Sequence, residues 1–142
     1  MLIVIVILGI LSGMTLVAYG RGTDNAEATA ALAQLDTAKS ALLTYSMEHT
    51  TRNVDPLRGF VNANSNTIKT SLDKYLDSSA PKYFETIRVA DSSGFLEVGF
   101  DGFTVSSGTR NALDKKITAS GGSYRRGSSS NANAYSMWLR IK

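Results

Sequence analysis

The run from Leu2 to Ala18 carries Ser12 and Thr15 as its only polar side chains, and beyond it the chain turns to a mixture of small, apolar and polar residues. A helix of about 18 residues at 1.5 Å per residue is about 27 Å long, close to the hydrocarbon thickness of a bilayer. The run therefore predicts an apolar helix able to span a membrane. From Asp24 to Met47 the sequence is alanine-rich and sets Leu32, Leu35, Ala38, Leu42 and Tyr45 at spacings of three and four, which gathers them on one face of an amphipathic helix. The first proline is Pro56, so both patterns fit one helix of about 50 residues, about 75 Å long. Gly20 and Gly22 are its weakest points, at a cost of about 1 kcal/mol each against alanine, and a bend or loosening is expected there. Gly9 and Gly13 raise the same expectation earlier.

The remaining pattern is shorter in period. Thr51 to Asn64 reads as a polar, proline-containing loop, and Ser65 or Asn66 is placed to cap a short helix from about Thr67 to Leu76 that buries Ile68, Leu72, Tyr75 and Leu76. Phe84 to Ala90 and Phe95 to Phe100 read as strands joined by the turn Asp91-Ser92-Ser93-Gly94, an antiparallel hairpin. A second short helix covers Thr109 to Ala119 with Ala112, Leu113 and Ile117 inward, and Gly121-Gly122 ends it. Ser123 to Ala134 reads as a Ser/Asn/Gly loop. Tyr135, Met137, Leu139 and Ile141 then alternate with Ser136, Trp138 and Arg140, as a closing strand does. The sum is an α+β fold in which a small antiparallel sheet lies on half of a long N-terminal helix. Residues 1–23 form the apolar helix, and 24–142 the globular head with the amphipathic half of the helix.

Composition removes most catalytic chemistry. The 142-residue chain has no cysteine, so it has no disulfide framework, thiol nucleophile or cysteine metal site, and its one histidine, His49, cannot build a histidine cluster or triad. His49 reads as a surface residue at a helix end. Asp24, Glu27, Asp36 and Glu48 are expected on the solvated half of the helix, and the other carboxylates are scattered without paired spacing. Asp101-Gly102 alone falls short of a calcium cage, so neither metal nor cofactor is expected. A net charge of +3 makes the surface mildly basic. Arg110, Lys115, Lys116, Arg125 and Arg126, with Tyr124 as a stacking aromatic, form a candidate patch for an anionic polymer such as single-stranded DNA. Pairing of these cations with acids such as Glu27 or Asp36 of a neighbouring subunit is the favoured reading, because no arginine-aromatic repeat supports groove tracking. Tyr19, Tyr45, Phe60 and Trp138 are expected to serve core packing.

IVIVILGILSGM, from Ile3 to Met14, resembles the apolar part of the N-terminal helix of type IV pilins and pseudopilins, with Gly9 followed by Ile10-Leu11 and small residues. AALAQLDTAKSALLTYSMEH, from Ala30 to His49, is similar to the amphipathic half of that helix, and VGFDGFTVSSGTRNALDKKI and YSMWLRIK look like the sheet region of some members. The resemblance implies a type IV pilin-like fold and a major pilin, held in the inner membrane and then polymerised with copies of itself into an extracellular filament on the cell surface. It also implies a prepilin peptidase and a pilus assembly machinery as partners. In that reading Leu2, Ile3, Ile5, Ile7, Gly9, Leu11, Gly13, Met14, Leu16 and Val17 form the assembly helix, with no catalytic residue. The chain departs from the family in lacking its glutamate near the start, a proline soon after the glycine, and the C-terminal disulfide. No basic leader precedes the apolar run, so the sequence begins after a processing event or omits a few initial residues. Two alternatives are a pseudopilin of a type II-like secretion or DNA-uptake system and a non-polymerising, membrane-tethered binding domain.

Overall fold

The computed structural model describes residues 2–50, 55–76, 83–127 and 134–141, and in the first of these segments it describes side chains at Tyr19 and from Gly22 onward. Helix α1 runs from Leu2 to His49, 48 residues without a break, and passes helically through Gly20 and Gly22. Its length, about 72 Å at 1.5 Å per residue, is more than twice the roughly 30 Å width of a small domain, so the head cannot cover all of it. The hydroxyls of Thr29, Thr37 and Thr44 donate to carbonyls four residues back at 2.8, 2.9 and 3.0 Å, which satisfies them without taking a partner from the helix. At the C-terminal end the His49 ring stacks on Tyr45 at 4.1 Å, and Nδ1 meets the Tyr45 carbonyl oxygen at 3.0 Å.

Several boundaries differ from the sequence reading for local reasons. The segment read as a loop contains a 3-10 turn, Pro56–Phe60, capped by Asp55 Oδ1, which accepts from Leu57 N at 3.1 Å; it buries Leu57 and Phe60. Helix α2 spans Ser65–Leu72 and continues as a 3-10 turn over Asp73–Tyr75. Its cap is Asn64 instead of Ser65 or Asn66, because the Asn64 side chain accepts from Thr67 N at 2.8 Å. Phe84–Thr86 forms a 3-10 turn that puts Phe84 into the core, so strand β1 starts later than expected and spans Ile87–Ser92. Asp91 and Ser92 belong to the strand, and the hairpin turn narrows to Ser93-Gly94. Both residues have positive φ, 54° and 85°, as a two-residue turn matching strand twist requires.

Strand β2 extends to Thr104 by way of an irregularity between Phe100 and Phe103, where Gly102 has φ 75°. Helix α3 covers Ser107–Ala119, capped by Ser106, and Gly121 and Gly122 leave it with φ 65° and 91°. The stretch read as a loop before the last strand contains a short strand, β3, Tyr124–Arg126. Strand β4 is Ala134–Arg140. All neighbours are antiparallel in the order β1-β2-β4-β3. The protein is thus α+β, a long N-terminal helix with a small four-stranded antiparallel sheet.

One core joins these parts. Ala28, Ala31, Leu35, Ala38 and Leu42 of α1 are buried in one cluster with Val89, Val98, Phe100, Met137 and Leu139 of the sheet and with Leu113 and Ile117 of α3. Leu32 and Tyr45, expected on the same face, are packed against it half-buried. The alanines matter as much as the leucines, since a short side chain lets the partner backbone approach the helix closely. Aromatic rings close one end: Tyr83, Phe84, Phe100, Phe103 and Tyr135 have neighbouring centroids between 4.8 and 6.3 Å apart. Of the other aromatics, Tyr45 packs on Phe60 at 5.0 Å, whereas Tyr19 is 78% exposed and does not serve the core.

Candidate functional site

Of the acids of α1, Asp36 and Glu48 are exposed, as expected of the solvated half of the helix, and Asp24 and Glu27 are half-buried. Each meets the head. Tyr83 donates to Glu27 Oε1 at 2.9 Å, Tyr124 to Asp36 Oδ2 at 2.7 Å, and Tyr75 to Glu48 Oε2 at 2.5 Å, with Lys74 Nζ on the same Glu48 oxygen at 3.0 Å. Asp24 Oδ1 accepts from Ser106 Oγ at 2.7 Å and lies 3.0 Å from Thr109 Oγ1, which is also 2.9 Å from Glu27 Oε2. Ser106 and Thr109 belong to the N-terminal turn of α3, so two carboxylates sit where the helix presents its positive dipole end. Thr109 is fully buried, and its hydroxyl is satisfied by these acids. The reason for these contacts is geometric: a helix face that packs on a domain has polar flanks as well as an apolar stripe, and these flanks meet phenols and hydroxyls of the head.

Ionisation follows from those contacts. The Tyr75 hydroxyl is pushed up to about 12 by its bond to Glu48, and the same bond, with Lys74, holds the Glu48 carboxyl below the usual carboxylate range. Burial and then Asp36 push Tyr124 up to about 12. Tyr83 and Tyr135 are also raised, first by burial and then by their bonds to Glu27 and Asp114. All four phenols therefore remain neutral donors to carboxylates at physiological pH.

The candidate basic patch is distributed over several contacts. Arg125 pairs with Glu97 at 2.6 Å and lies over Trp138 at 6.0 Å. Arg126 pairs with Asp114 at 3.2 Å and lies over Tyr135 at 5.5 Å. Arg110 Nη2 donates to the Ala134 carbonyl at 3.4 Å, and its Nε is buried without a partner among the described residues. Lys115 is exposed and Lys116 half-buried on α3. Tyr124 is not free to stack on a base through an open face, since it is half-buried with its hydroxyl on Asp36. Glu27 and Asp36, the acids considered for pairing with a neighbouring subunit, are held within this chain by Tyr83 and Tyr124.

Glu97 is a residue the sequence reading passed over. It is 5% exposed yet charged, on the sheet face opposite the core, under Arg125 and paired across the strands with Arg140. Its alternation with Leu96 and Val98 marked the outward face, but the arginine partner depends on register with strands 28 and 43 residues further along. Asp101, considered for a calcium loop, instead accepts from Ser136 Oγ at 2.7 Å, and the same Oγ accepts from Gly102 N at 3.0 Å, which stitches the irregular part of β2 to β4. Among the described residues no three His, Cys, Asp or Glu side chains converge as metal ligands, and no helix is long and apolar enough to cross a membrane. The side chains from Leu2 to Val17 assigned to assembly lie outside the described residues.

The fold and these contacts define a structural class: a long helix cemented along one part of its length to an α+β head. No family model, curated protein or solved structure matches this chain.

Proposed function

We propose that this protein is a subunit of a helical filament of the type IV pilin kind, stored in the inner membrane by its apolar N-terminal helix and then assembled on the cell surface. The observation that carries this reading is α1 itself, a single helix of 48 residues whose first buried described residue is Ala28. A tethered domain needs only a flexible linker after its anchor. This chain instead continues the helix rigidly into the head, where hydrophobic burial and four carboxylates fix it. A rigid connection suits repeated stacking with constant rise and rotation.

The apolar surface from Leu2 to Val17 has two uses in this mechanism, first against lipid and then against the same helices of neighbouring subunits. Transfer between the two costs little hydrophobic energy because both surroundings are apolar. Gly9, Ser12 and Gly13 permit close backbone approach, and Ile3, Ile5, Ile7 and Leu11 supply contact area. A prepilin peptidase and a pilus assembly machinery are the partners this reading requires.

Electron microscopy of sheared cell-surface material, with the intact mass of the subunit, tests it. Helical filaments of this chain with the apolar helices at the centre are expected, and the mass gives the residue at which the mature chain starts. Deleting Met1 to Tyr19 should leave a soluble monomer. A full-length chain that stays monomeric in the membrane would overturn the filament reading in favour of a tethered domain, while short assemblies absent from the cell surface would mark a pseudopilin.

A further inference from the structure

Trp138, the single tryptophan of the chain, alternates with the core residues Met137 and Leu139 and so lies on the outer face of the sheet, which α1 does not cover. Gly99 of β2 stands beside it in the register, and Gly127, whose N–H donates to the Ser136 carbonyl at 2.9 Å, follows β3 on the other side. A Cβ at Gly99 would strike the six-membered ring of the indole, and one at Gly127 would strike its pyrrole side. The indole therefore lies flat across both neighbours, with its second face turned away from the sheet. Arg125 stands at its margin: Cζ is 6.0 Å from the ring centroid, beyond the roughly 3.5–4.0 Å of atomic contact.

The same face continues along β2 through Glu97 to Phe95, which is 42% exposed. Arg140 Cζ lies 3.8 Å from the Phe95 centroid, so guanidinium and ring are stacked. Two flat platforms result, the indole and the Arg140–Phe95 pair, roughly 14 Å apart as four residues of β2 at about 3.4 Å each. Between them Arg125 reaches across β4 to Glu97 at 2.6 Å and covers it. Arg88, exposed on β1 opposite Gly99, adds a third cation and donates from Nη1 to the Ala63 carbonyl at 3.3 Å. Against these arginines stand the covered Glu97 and, beyond Trp138, Asp101, which accepts from Ser136.

We infer that this open sheet face binds single-stranded DNA, with one base on Trp138, another on the Arg140–Phe95 pair and the phosphates between them held by Arg125 and Arg140. Bases stack on aromatic rings and on guanidinium planes alike, and a four-stranded sheet holds about two or three of them on its open face. A duplex does not fit, because its bases are stacked on one another and offer no free face. Reading a ribose 2′-hydroxyl takes a hydrogen-bonding group at the sugar, and Glu97, the acceptor within the row, is covered by Arg125, which favours DNA over RNA. The arginine–aromatic repeat missing from the linear sequence is thus assembled across β2, β4 and β3. It shares only Arg125 with the basic patch read from the sequence. The site is independent of filament formation, since all its residues belong to one subunit.

The test uses the full chain in uncharged maltoside micelles, titrated with an oligothymidylate of about twelve nucleotides, within the usual site sizes for single strands. Trp138 emission is a direct readout, because no other tryptophan contributes. Saturable quenching that weakens with added salt is expected. By anisotropy of a labelled strand, Trp138→Leu and Phe95→Ala should each weaken binding about tenfold, the loss of one stacked base, while Trp138→Phe keeps most of the affinity. Arg140→Gln should weaken binding and lower the salt slope by about one. Unchanged unfolding midpoints in Phe95→Ala and Arg140→Gln show that contacts, and not the fold, were lost. Absence of quenching overturns the site. So does equal affinity for a duplex of the same length or for heparin, an anionic polymer without bases, and so does binding that survives in the Trp138→Leu, Phe95→Ala double variant. Tighter binding of oligouridylate than of oligothymidylate overturns the assignment to DNA.

Discussion

Tyr124 and Asp36 are 88 residues apart in sequence and 2.7 Å apart in space, and the phenol donates to the carboxylate only while it keeps its proton. Burial and Asp36 raise the Tyr124 hydroxyl from its ordinary value near 10 to about 12. A raised folded-state value means that the contact contributes fully below pH 10 and that its contribution disappears as pH rises through 12. Thermal unfolding scans between pH 8 and 12 should therefore show a steep alkaline loss of stability, and Tyr124→Phe should flatten part of it. At pH 7 the same variant should lose about 1 kcal/mol, the ordinary value of such a bond near a surface. Gly99 is a second sensitive position. A Cβ there would collide with the Trp138 ring and come within 2.5 Å of the Met137 carbonyl oxygen, so Gly99→Ala should cost about 1–3 kcal/mol in chemical denaturation. The tyrosine and glycine residues are visible in the sequence, but their partners are not, because each contact joins elements far apart in the chain.

Helix α3 shows how one element depends on another. Ser106 caps it by accepting from Thr109 N at 3.0 Å and at the same time donates to Asp24 of α1 at 2.7 Å. Ser106→Ala should therefore cost more than the roughly 1 kcal/mol of a lost cap, because it also deprives Asp24 of a donor. Gly108 is close to the same carboxylate, and Gly108→Ala would push Asp24 from the helix terminus. Hydrogen exchange should report both variants as lost protection in the first turns of α3, with β1 and β2 little changed. The body of α3 was legible, with Ala112, Leu113 and Ile117 buried as their spacing implies. Its start at Ser107 was not, since serine, glycine and threonine form loops and helix entries equally well until a cap bond is made. The same holds for β3, whose three residues carry no alternation and become a strand only by pairing with β4.

For the molecule as a whole, α1 is the axis on which the head folds. Leu35 and Leu42 are fully buried between sheet and helix, and Leu35→Ala should destabilise the protein by about 2–5 kcal/mol, measured by denaturation. If the filament proposal holds, that variant should also lower filament yield in microscopy of sheared material, since a head loosened from its helix does not stack in register.

The sequence by itself determined the long helix, the apolar stripe of its second half, the hairpin and the last strand. Each depends on periodicity and proline placement within a few turns of chain. Only the tertiary structure decided the order β1-β2-β4-β3, the phenol–carboxylate contacts along α1 and the pairing of the nearly buried Glu97 with Arg125. Those features depend on which distant groups meet once the core has closed, and charge or polarity at one position does not specify a partner 28 to 88 residues away.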